Sequence, residues 1–386
     1  MPSSRIFLAG RSSVWALRIA LLSLLFTPFG AQAQDGPRGI TQPVVFAPHN
    51  PAAPACSVPP GLLKILGFAQ DNEREFMQGV ARGLAMAAKD RGLEYRNAIA
   101  QNDPALMIEQ VQAFRAAGVG AVVAAPVDPA SLSRSLQQVI WAGGYVGTVV
   151  PPPATLLLNA PQYLTGKVLG DAAAAYIRTE LRGRARVVLL THDSLQFLAP
   201  RFTAMRDSLR GMPGVTIVAD ISPPTVNKEG GQATMRTILM AQPEIDVVLG
   251  ADTVVLGALA ALREAGKARP NQFLGGIDGE PEAVAEIMRG NGPYKASVSL
   301  NSPVFGYAMG QQAANWLDGR SIPQAMEILP RALTAANLAQ YEADLANPGA
   351  VYAAPARRDA YLKMYGNICY DTRDQYVNFP WSSERK

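Results

Sequence analysis

The sequence predicts an α/β protein made of two doubly wound parallel-sheet lobes joined by a hinge. Apolar runs of strand length alternate with helical stretches from Leu62 to about Arg320. Strands that are apolar almost throughout, and that are separated by helices, indicate parallel sheets covered on both faces. About nine such units exceed one ordinary sheet, so two lobes are the economical interpretation.

The individual elements follow from local patterns. The strand-like runs are, in order, LLKILGFA, LEYRNAIA, GAVVAA, YVGTVV, ARVVLL, VTIVAD, DVVLGA, FLGGID and KASVSL. Helices are predicted from apolar spacing such as Phe76, Val80 and Leu84, which places one stripe toward a sheet. The pair Asp103-Pro104 supplies a capping acid followed by proline at the first helical position, so a helix is expected to begin at Pro104.

The N-terminus has the features of a secretory signal peptide. Three arginines precede the apolar run 19–29, and the small-residue sequence Ala31-Gln32-Ala33 follows it. A membrane anchor needs roughly 20 apolar residues, and this run is too short. We therefore expect the protein to be exported to the periplasm and residues 1–33 to be removed by cleavage after Ala33. Residues 34–60, which are rich in Pro, Ala and Gln, are expected to form an extended arm.

Charge and composition exclude several classes of partner. Removing residues 1–33 leaves 32 basic and 31 acidic residues, because the removed segment contains three arginines and no acid. A near-neutral protein gives no reason to expect nucleic acid or an anionic membrane as partner. The 48% of apolar residues in this chain are ample for two packed cores.

The chain contains two cysteines, Cys56 and Cys369, one near each end of the mature protein. Export to an oxidising compartment permits a disulfide between them, which would tie the N-terminal arm to the C-terminal tail. Two unpaired or separately buried thiols are the alternative, because the sequence does not show that the sulfurs meet. The sequence has no Cys/His cluster of metal-binding type, and neither a metal nor another cofactor is expected.

Ligands of open α/β sheets lie outside the carboxyl ends of the strands, where loops lead into helices. The residues that directly follow the predicted strands are therefore the candidates for ligand contact. They are Gln70, Asp71, Asn72, Arg74, 125–128, 150–153, 193–201, Ala251, Asp252, Ile277, Asp278 and 300–302.

Several phrases in fixed order resemble one known family. They are ILGFAQDNEREFMQGVARGL, AAPVDPASL, VVLGADTVVLGALAAL with LREAGK, FLGGIDGEPEAVAEI, and KASVSLNSPVFGYAMG with WLDGRSIP. Over about residues 62–330 the chain resembles the type I periplasmic binding proteins, in the sugar-binding, ribose-binding-like group that serves ABC transporters. It also resembles the ligand-binding half of sugar-responsive repressors, but it has a signal peptide and lacks an N-terminal DNA-reading helix pair.

The resemblance implies a domain plan and a function. The first lobe would comprise 61–160 plus 301–330, and the second lobe 161–300. The tail 331–386 is longer than this family usually carries, and its simplest expected role is packing on the second lobe, with a partner-binding surface as the alternative. The protein would be a monomeric, non-enzymatic binding protein that closes on a small-molecule solute and delivers it to an inner-membrane ABC permease. A periplasmic sensor that presents its closed form to a signalling protein is the alternative, and a secreted enzyme is a third possibility.

Three site residues carry over from the family. Phe76 matches an aromatic ring that packs on the sugar face. Arg201 matches an arginine that donates to ligand oxygens, and Asp278 matches an acid that accepts from ligand hydroxyls. Each has a plainer alternative. Phe76 could be a core residue at the start of its helix, Arg201 a solvated residue in the first turn of a helix, and Asp278 a turn or capping acid.

Further candidates are less closely matched to the family. Asp252 could contact ligand or cap a helix. The polar side chains at the first-lobe strand ends and crossings could replace ligand-binding groups that the family has and this chain lacks, or they could lie in exposed loops. These additional candidates are Gln70, Asp71, Arg74, Gln162, Asp252 and Asn301.

The chain departs from the family at several polar positions. Ala125 stands where ribose binders have asparagine, and Ala160 stands where an asparagine or serine would line the crossing. Val150-Pro151 stands where ribose binders have Asp-Arg. A sugar depends on dense hydrogen bonding, because each unpaired buried polar group costs about 1–3 kcal/mol. We therefore expect a less polar solute, such as a partly deoxygenated polyol, a small alcohol or ketone, or an aromatic acid.

An enzymatic function has little support in the sequence. The only histidines are His49, in the proline-rich arm, and His192, at the end of a predicted strand. No HExxH, GxSxG or P-loop pattern occurs. His192 could contact ligand or simply cap its loop.

Overall fold

The computed structural model describes residues 36–193, 195–333 and 337–384. The predicted signal peptide lies outside the described residues. The α/β class is confirmed, since two parallel-dominated sheets with helices on their faces make up the described chain.

Thirteen strands are found in the described part of the chain. They are β1 (Leu63–Gln70), β2 (Glu94–Ile99), β3 (Val119–Ala124), β4 (Tyr145–Val149), β5 (Leu156–Asn159), β6 (Ala185–Leu190), β7 (Val215–Ile221), β8 (Val247–Leu249), β9 (Phe273–Asp278), β10 (Tyr294–Ser299), β11 (Ala325–Ile328), β12 (Arg331–Ala332) and β13 (Leu362–Tyr365).

The described residues form twelve α-helices and a closing 3₁₀ turn at Tyr370–Gln375. The helices are α1 (Glu75–Arg91), α2 (Pro104–Ala116), α3 (Pro129–Trp141), α4 (Gln162–Thr179), α5 (Ala199–Leu209), α6 (Lys228–Ala241), α7 (Asp252–Glu264), α8 (Pro281–Met288), α9 (Ser302–Leu317), α10 (Leu338–Ala346), α11 (Pro348–Ala353) and α12 (Pro355–Tyr361).

Each sheet defines one lobe. The first sheet has the order β13-β11-β5-β4-β3-β1-β2, and the second has the order β12-β10-β9-β8-β6-β7. All neighbouring strands are parallel except β13 beside β11 and β12 beside β10. The carboxyl ends of the parallel strands therefore lie along one edge of each sheet, where a ligand site is expected.

Local sequence explains where the elements begin and how they pack. Asp103 accepts hydrogen bonds from the backbone N–H groups of Ala105 (2.8 Å) and Leu106 (3.3 Å), so α2 begins at Pro104 as expected. Helices α1 and α9 lie so close that a Cβ on Gly83 would stand 2.1 Å from the carbonyl oxygen of Pro303. Glycine is required there, and the contact fixes the start of α9 against the first lobe.

The chain passes between the sheets more than once. It leaves the first sheet after β5 and returns to that lobe with α9, after β10. Strand β11 then joins the first sheet and β12 joins the second. These crossings are the segments at which one lobe can rotate relative to the other.

The C-terminal tail was predicted to pack on the second lobe, but most of it packs on the first lobe. Strand β13 pairs antiparallel with β11 and so extends the first sheet. Val377 forms isolated bridges with Ile40 of the arm and Ala154 of the first lobe. Strand β12 and helix α10 lie on the second lobe, where Leu338 and Tyr341 pack on Val284. The tail therefore binds both lobes, because its apolar side chains complete the core around β5 and β11.

The arm and the tail also meet through the two cysteines. The Sγ atoms of Cys56 and Cys369 lie 2.06 Å apart and the Cα atoms 6.2 Å apart, as in a disulfide. The backbone N–H of Cys56 also donates to the carbonyl of Gly319, 2.8 Å away.

The last described residues lie across the crossings. The Asn159 amide donates to the carbonyl oxygen of Trp381 (3.1 Å), and the backbone and hydroxyl of Ser383 donate to the Glu327 carboxylate at the end of β11 (3.0 and 2.6 Å). The Glu384 carboxylate accepts from the first N–H groups of α4, those of Tyr163 (3.0 Å) and Leu164 (2.8 Å). A carboxylate at a helix N-terminus is favourable, so the tail secures the first helix of the second lobe.

Candidate functional site

The predicted ligand edge of each sheet faces the other lobe across a narrow cleft. One cavity of 70 Å³ is lined by Phe76 and Glu75 at the start of α1, and by Asp278, Gly279 and Glu280 after β9. A cavity of this size holds a few water molecules and not a sugar ring. Entry of a solute would therefore require the two lobes to separate.

Phe76 and Asp278, predicted from opposite lobes, line this same cavity. The ring of Phe76 also lies 5.7 Å from that of Phe305 on α9, so one side packs in the first lobe. Asp278 has a φ of 116°, an unfavourable conformation for a residue with a side chain. Strain of this kind is found at functional sites, where the surroundings enforce it.

Arg201 is buried, with 7% of its surface exposed, and is not the solvated helix residue of the plainer alternative. Its Nε donates to Oε1 of Gln162 at 3.0 Å, so two predicted site residues contact each other at the first crossing. Burial lowers the pKa of Arg201 and the charge of Asp278 opposes this effect. A Cβ on Gly166 would stand 1.8 Å from the Arg201 carbonyl oxygen, so α4 and α5 meet tightly at this arginine.

Glu280 was not identified from the sequence, where an acid before Pro281 looks like an ordinary helix-start residue. Its carboxyl lies in the cleft cavity two residues after Asp278. Burial, and then the charge of Asp278, raise the pKa of Glu280 to about 8. Burial likewise raises the pKa of Asp278 to about 6, against the lowering effect of Arg201 and of Arg74 on the other lobe.

Tyr341 is a second site residue that sequence reasoning did not find. It belongs to α10, in the tail, and its hydroxyl donates to the carbonyl oxygen of Gly279 at 2.9 Å. It also lines the cleft cavity, so the tail helps to shape the turn that carries Asp278 and Glu280. No sequence pattern indicated this contact beyond the aromatic richness of the tail.

Asp252 cannot contact ligand, which corrects one prediction. The residue is 0% exposed. Its Oδ2 accepts from the backbone N–H groups of Gly279 (2.8 Å) and Glu280 (2.9 Å) and from the Ser297 hydroxyl (2.6 Å). Its Oδ1 accepts from the Tyr294 hydroxyl at 2.6 Å. Its acceptors are engaged by the protein, and it fixes the turn after β9 instead of the solute.

Gln70 and Asn301 are also buried and engaged by the protein. The Gln70 oxygen accepts from the Asn97 amide at 3.0 Å, and its amide donates to the Asn72 carbonyl. Asn301 is 0% exposed, and its oxygen accepts from the backbone of Val304 at 3.3 Å, capping α9. The Nδ2 atom of Asn301 is buried and has no hydrogen-bond partner among the described residues, as is expected where a ligand or water completes a site.

Asp71 and Arg74 of the first lobe lie near His192 of the second lobe. Arg74 donates to the Asp71 carboxylate at 2.8 Å, and burial raises the pKa of Asp71. Burial lowers the pKa of His192, and Arg74 lowers it further from the opposite lobe. The Nδ1 of His192 is buried and has no hydrogen-bond partner among the described residues. A buried polar atom without a partner is expected where a ligand or water completes the site.

A second, larger cavity of 810 Å³ lies on the outer side of the first lobe. The N-terminal arm and the C-terminal tail line it together, and its residues include His49, Tyr352, Arg358 and Lys363. It is wide and open, and only the first lobe with these two extensions forms it. This cavity does not lie between the two lobes.

No helix in the described ranges is long and apolar enough to cross a membrane.

The chain belongs to the periplasmic binding protein family, since the family model "Periplasmic binding protein domain" matches residues 67–321. It is 26% identical over 262 residues to the ribose import binding protein RbsB of Bacillus subtilis (strain 168), covering 65% of this chain and 80% of that protein. It is 27% identical over 266 residues to a putative rhizopine-binding protein of Rhizobium meliloti, covering 65% and 83%.

Solved structures have the same fold. An ABC transporter solute binding protein from Bacillus halodurans C-125 with bound myo-inositol superposes with a TM-score of 0.63 at 22% identity, covering 73% of this chain and 98% of that one. A 5-methylthioribose transporter solute binding protein from Thermotoga lettingae TMO gives a TM-score of 0.65 at 22% identity, covering 78% and 95%. The family resemblance seen in the sequence motifs is thereby confirmed.

Proposed function

We propose that this chain is the solute-binding protein of an ABC-type transporter and that it binds one small sugar-like molecule between its lobes. The observation that carries the proposal is the cavity that Phe76 of the first lobe and Asp278 of the second lobe line together. The relatives include a ribose import binding protein and a putative rhizopine-binding protein, and the solved structures of the same fold include one with bound myo-inositol and a 5-methylthioribose transporter solute binding protein.

The two opposed groups suit the two surfaces of such a solute. An aromatic ring packs on the apolar C–H face of a sugar or cyclitol, as Phe76 would do from the first lobe. The Asp278 carboxylate accepts hydrogen bonds from hydroxyl groups, and its raised pKa reflects a buried charge that a donor would stabilise. Ala125 and Ala160, which replace polar residues of the family, are both buried, so part of the solute is expected to lack hydroxyls.

Binding would couple to lobe movement. The cavity of 70 Å³ is too small for the solute, so the lobes must part at the crossings and close again around it. A solute that touches both lobes stabilises the closed arrangement by its differential affinity for it. An inner-membrane permease would then recognise the closed form, and no chemical step on the solute is needed.

A thermal-shift screen of the mature protein against sugars, polyols, alcohols, amino acids and aromatic acids tests the proposal. A solute at 100 times its dissociation constant adds about 2.7 kcal/mol to the stability of the fold. We expect the shift to disappear in Phe76→Ala and in Asp278→Asn. It should persist in Asp359→Asn, which changes an exposed acid on the outer side of the first lobe. A shift that survives both cleft variants would contradict the proposed site.

The proposed location has its own test. Export with cleavage after Ala33 gives a periplasmic protein that begins at Gln34, which intact-mass measurement of the periplasmic fraction detects. If Cys56 and Cys369 are paired as their positions indicate, the protein measured without reductant should be two hydrogens lighter than the reduced protein. A monomeric mass in native conditions is expected as well.

A further inference from the structure

The C-terminal tail passes from the second lobe to the first beside the cleft. Helix α10 lies on the second lobe, where Leu338 and Tyr341 pack on Val284 of α8. The Tyr341 hydroxyl also donates to the carbonyl oxygen of Gly279 at 2.9 Å, in the turn after β9. These contacts hold α10 on the side of the cleft that carries Asp278.

Helix α11 is fixed to the first lobe. Its Val351 is fully buried. The ring of Tyr352 lies 5.8 Å from that of Tyr307 on α9, and the Tyr352 hydroxyl accepts a hydrogen bond from the Gln312 amide at 2.6 Å. A Cβ on Gly349 would stand 3.2 Å from the Tyr307 hydroxyl oxygen, so the first turn of α11 lies directly against α9. Helices α10 and α11 therefore belong to opposite lobes.

The two helices are joined without slack. Helix α10 ends at Ala346 and α11 begins at Pro348, so Asn347 alone connects them. One residue of extended chain spans at most about 3.6 Å. The Asn347 side chain also accepts from the backbone N–H of Ala350 at 3.0 Å, which caps α11. The lobes cannot move far apart at this point while both helices keep their places.

A buried carboxylate ties the same parts of the molecule a second time. Asp344 of α10 is 2% exposed and accepts hydrogen bonds from Arg357 and from the Tyr361 hydroxyl, both on α12. The Tyr361 carbonyl in turn accepts from the backbone N–H of Leu329 at 2.7 Å, and the next residue begins β13 of the first sheet. Breaking the Asp344 contacts would leave buried polar groups unpaired, which is unfavourable.

We propose that residues 338–353, which we call the strap, tether the two lobes across the cleft and limit how far they open. Tyr341 and Leu345 of the strap line the same cavity as Phe76 and Asp278, so the strap lies where the lobes separate. Opening moves α1 away from the turn after β9, and the strap joins those two sides. Limited opening goes beyond the proposed function, which requires lobe movement without setting its range.

The distance between two spin labels tests the strap in the absence of solute. The labels are attached at Ala105→Cys and Glu229→Cys, exposed positions in the first turns of α2 and α6. These helices follow β2 and β7, which lie at the ends of the two sheets opposite β11 and β12. Their separation therefore responds strongly to rotation about the crossing from β11 to β12. Cys56 and Cys369 are paired with each other, so the introduced thiols take the labels.

Two changes made together release the strap. A Gly-Ser-Gly-Ser segment inserted between the exposed residues Ala346 and Asn347 adds up to about 13 Å of slack. Asp344→Ala removes the tie to α12. We expect the mean distance between the labels to grow by roughly 5 Å or more in the combined variant, within the slack of the insertion. Either change alone should have a smaller effect, because one tie then remains.

The same insertion between Arg210 and Gly211, together with Asp171→Ala, is the matched control. Asp171 also accepts side-chain hydrogen bonds, from Lys167 at 2.8 Å and Ser208 at 2.7 Å, but all these positions belong to the second lobe. The label distance should keep its wild-type value in this control. Equal distances in the wild type and the combined variant would overturn the inference, and so would the same lengthening in the control.

A second variant tests the strap from its other end. Leu338→Ala with Tyr341→Phe loosens α10 from the second lobe and leaves Asn347 and Asp344 in place. It should lengthen the label distance as well, whereas Tyr176→Phe, which removes a hydroxyl bond to the Asn271 carbonyl within the second lobe, should not. Circular dichroism checks that each variant is folded. An unchanged distance in the folded Leu338→Ala, Tyr341→Phe protein would overturn the inference even if the combined variant does not fold.

The outcome is separate from that of the proposed function. The label distances are measured without solute, so they do not depend on which solute binds. Unchanged distances together with solute binding in the thermal-shift screen overturn the strap and leave the solute-binding function standing. Longer distances in the released variants together with no binding of any solute support the strap and contradict the proposed function.

Discussion

Replacing Asp252 should unfold the turn that carries the cleft acids. Its carboxylate accepts four hydrogen bonds, two of them from the backbone N–H groups of Gly279 and Glu280. In Asp252→Ala the hydroxyls of Ser297 and Tyr294 can rotate toward other acceptors, but the two backbone N–H groups cannot. Each buried donor left without a partner costs about 1–3 kcal/mol, so the free energy of unfolding should fall by about 4 kcal/mol.

Asp252→Asn separates the hydrogen bonds from the charge. The amide oxygen can accept from the same two N–H groups, while its NH₂ donates to the Tyr294 oxygen, so the loss should stay below about 2 kcal/mol. Burial raises the pKa of Asp252, so the neutral amide also removes the unfavourable burial of a charge.

Urea unfolding followed by circular dichroism measures both variants, with Asp359→Ala as the exposed control. Asp359 pairs with the neighbouring Arg358 at the surface, so its loss should cost less than about 1 kcal/mol. Equal losses in Asp252→Ala and Asp252→Asn would refute the reasoning, because the charge and not the hydrogen bonds would then hold the turn. A loss in Asp252→Ala no larger than that of the control would refute it as well.

Three further predictions concern the tail, the cysteines and the cleft acid. Glu384→Ala should lower the free energy of unfolding by about 1 kcal/mol, measured in urea, because α4 loses its capping carboxylate; no loss would exclude that role. The double variant Cys56→Ser, Cys369→Ser should lose about 2–5 kcal/mol, and equal stability of the wild type with and without reductant would contradict the pairing. Since the folded-state pKa of Glu280 is raised from 4.5 to about 8, stability should fall as pH rises through this window. Glu280→Gln should remove the Glu280 part of the dependence of stability on pH. Parallel stability profiles of the variant and the wild type across this pH range would disprove the role of Glu280.

The sheets could be predicted from the sequence because their signals are local. Strands such as β3 and β6 are apolar almost throughout, and α2 begins at the proline that follows its capping aspartate. The position of the tail could not be predicted in this way. Strand β13 has only four residues, LKMY, and its pairing with β11 depends on long-range packing that no local pattern encodes.

The roles of the candidate site residues also depend on long-range contacts that the sequence does not show. Asp252 and Asp278 both stand where a second-lobe strand leads toward a helix, and the sequence gives each a plausible ligand role. Their roles differ because the N–H groups of the next turn point at Asp252, whereas Asp278 faces the first lobe. Glu280 looks like an ordinary helix-start acid until the approach of α1 from the other lobe places it in the cleft.

The position of a bound solute tests the central claim most directly. A crystal structure of the mature protein with the tightest-binding solute of the screen should place its ring on Phe76 and its polar groups at Asp278, between closed lobes. Electron density for that solute in the outer cavity beside Arg358 and Lys363, with the cleft unoccupied, would contradict the account.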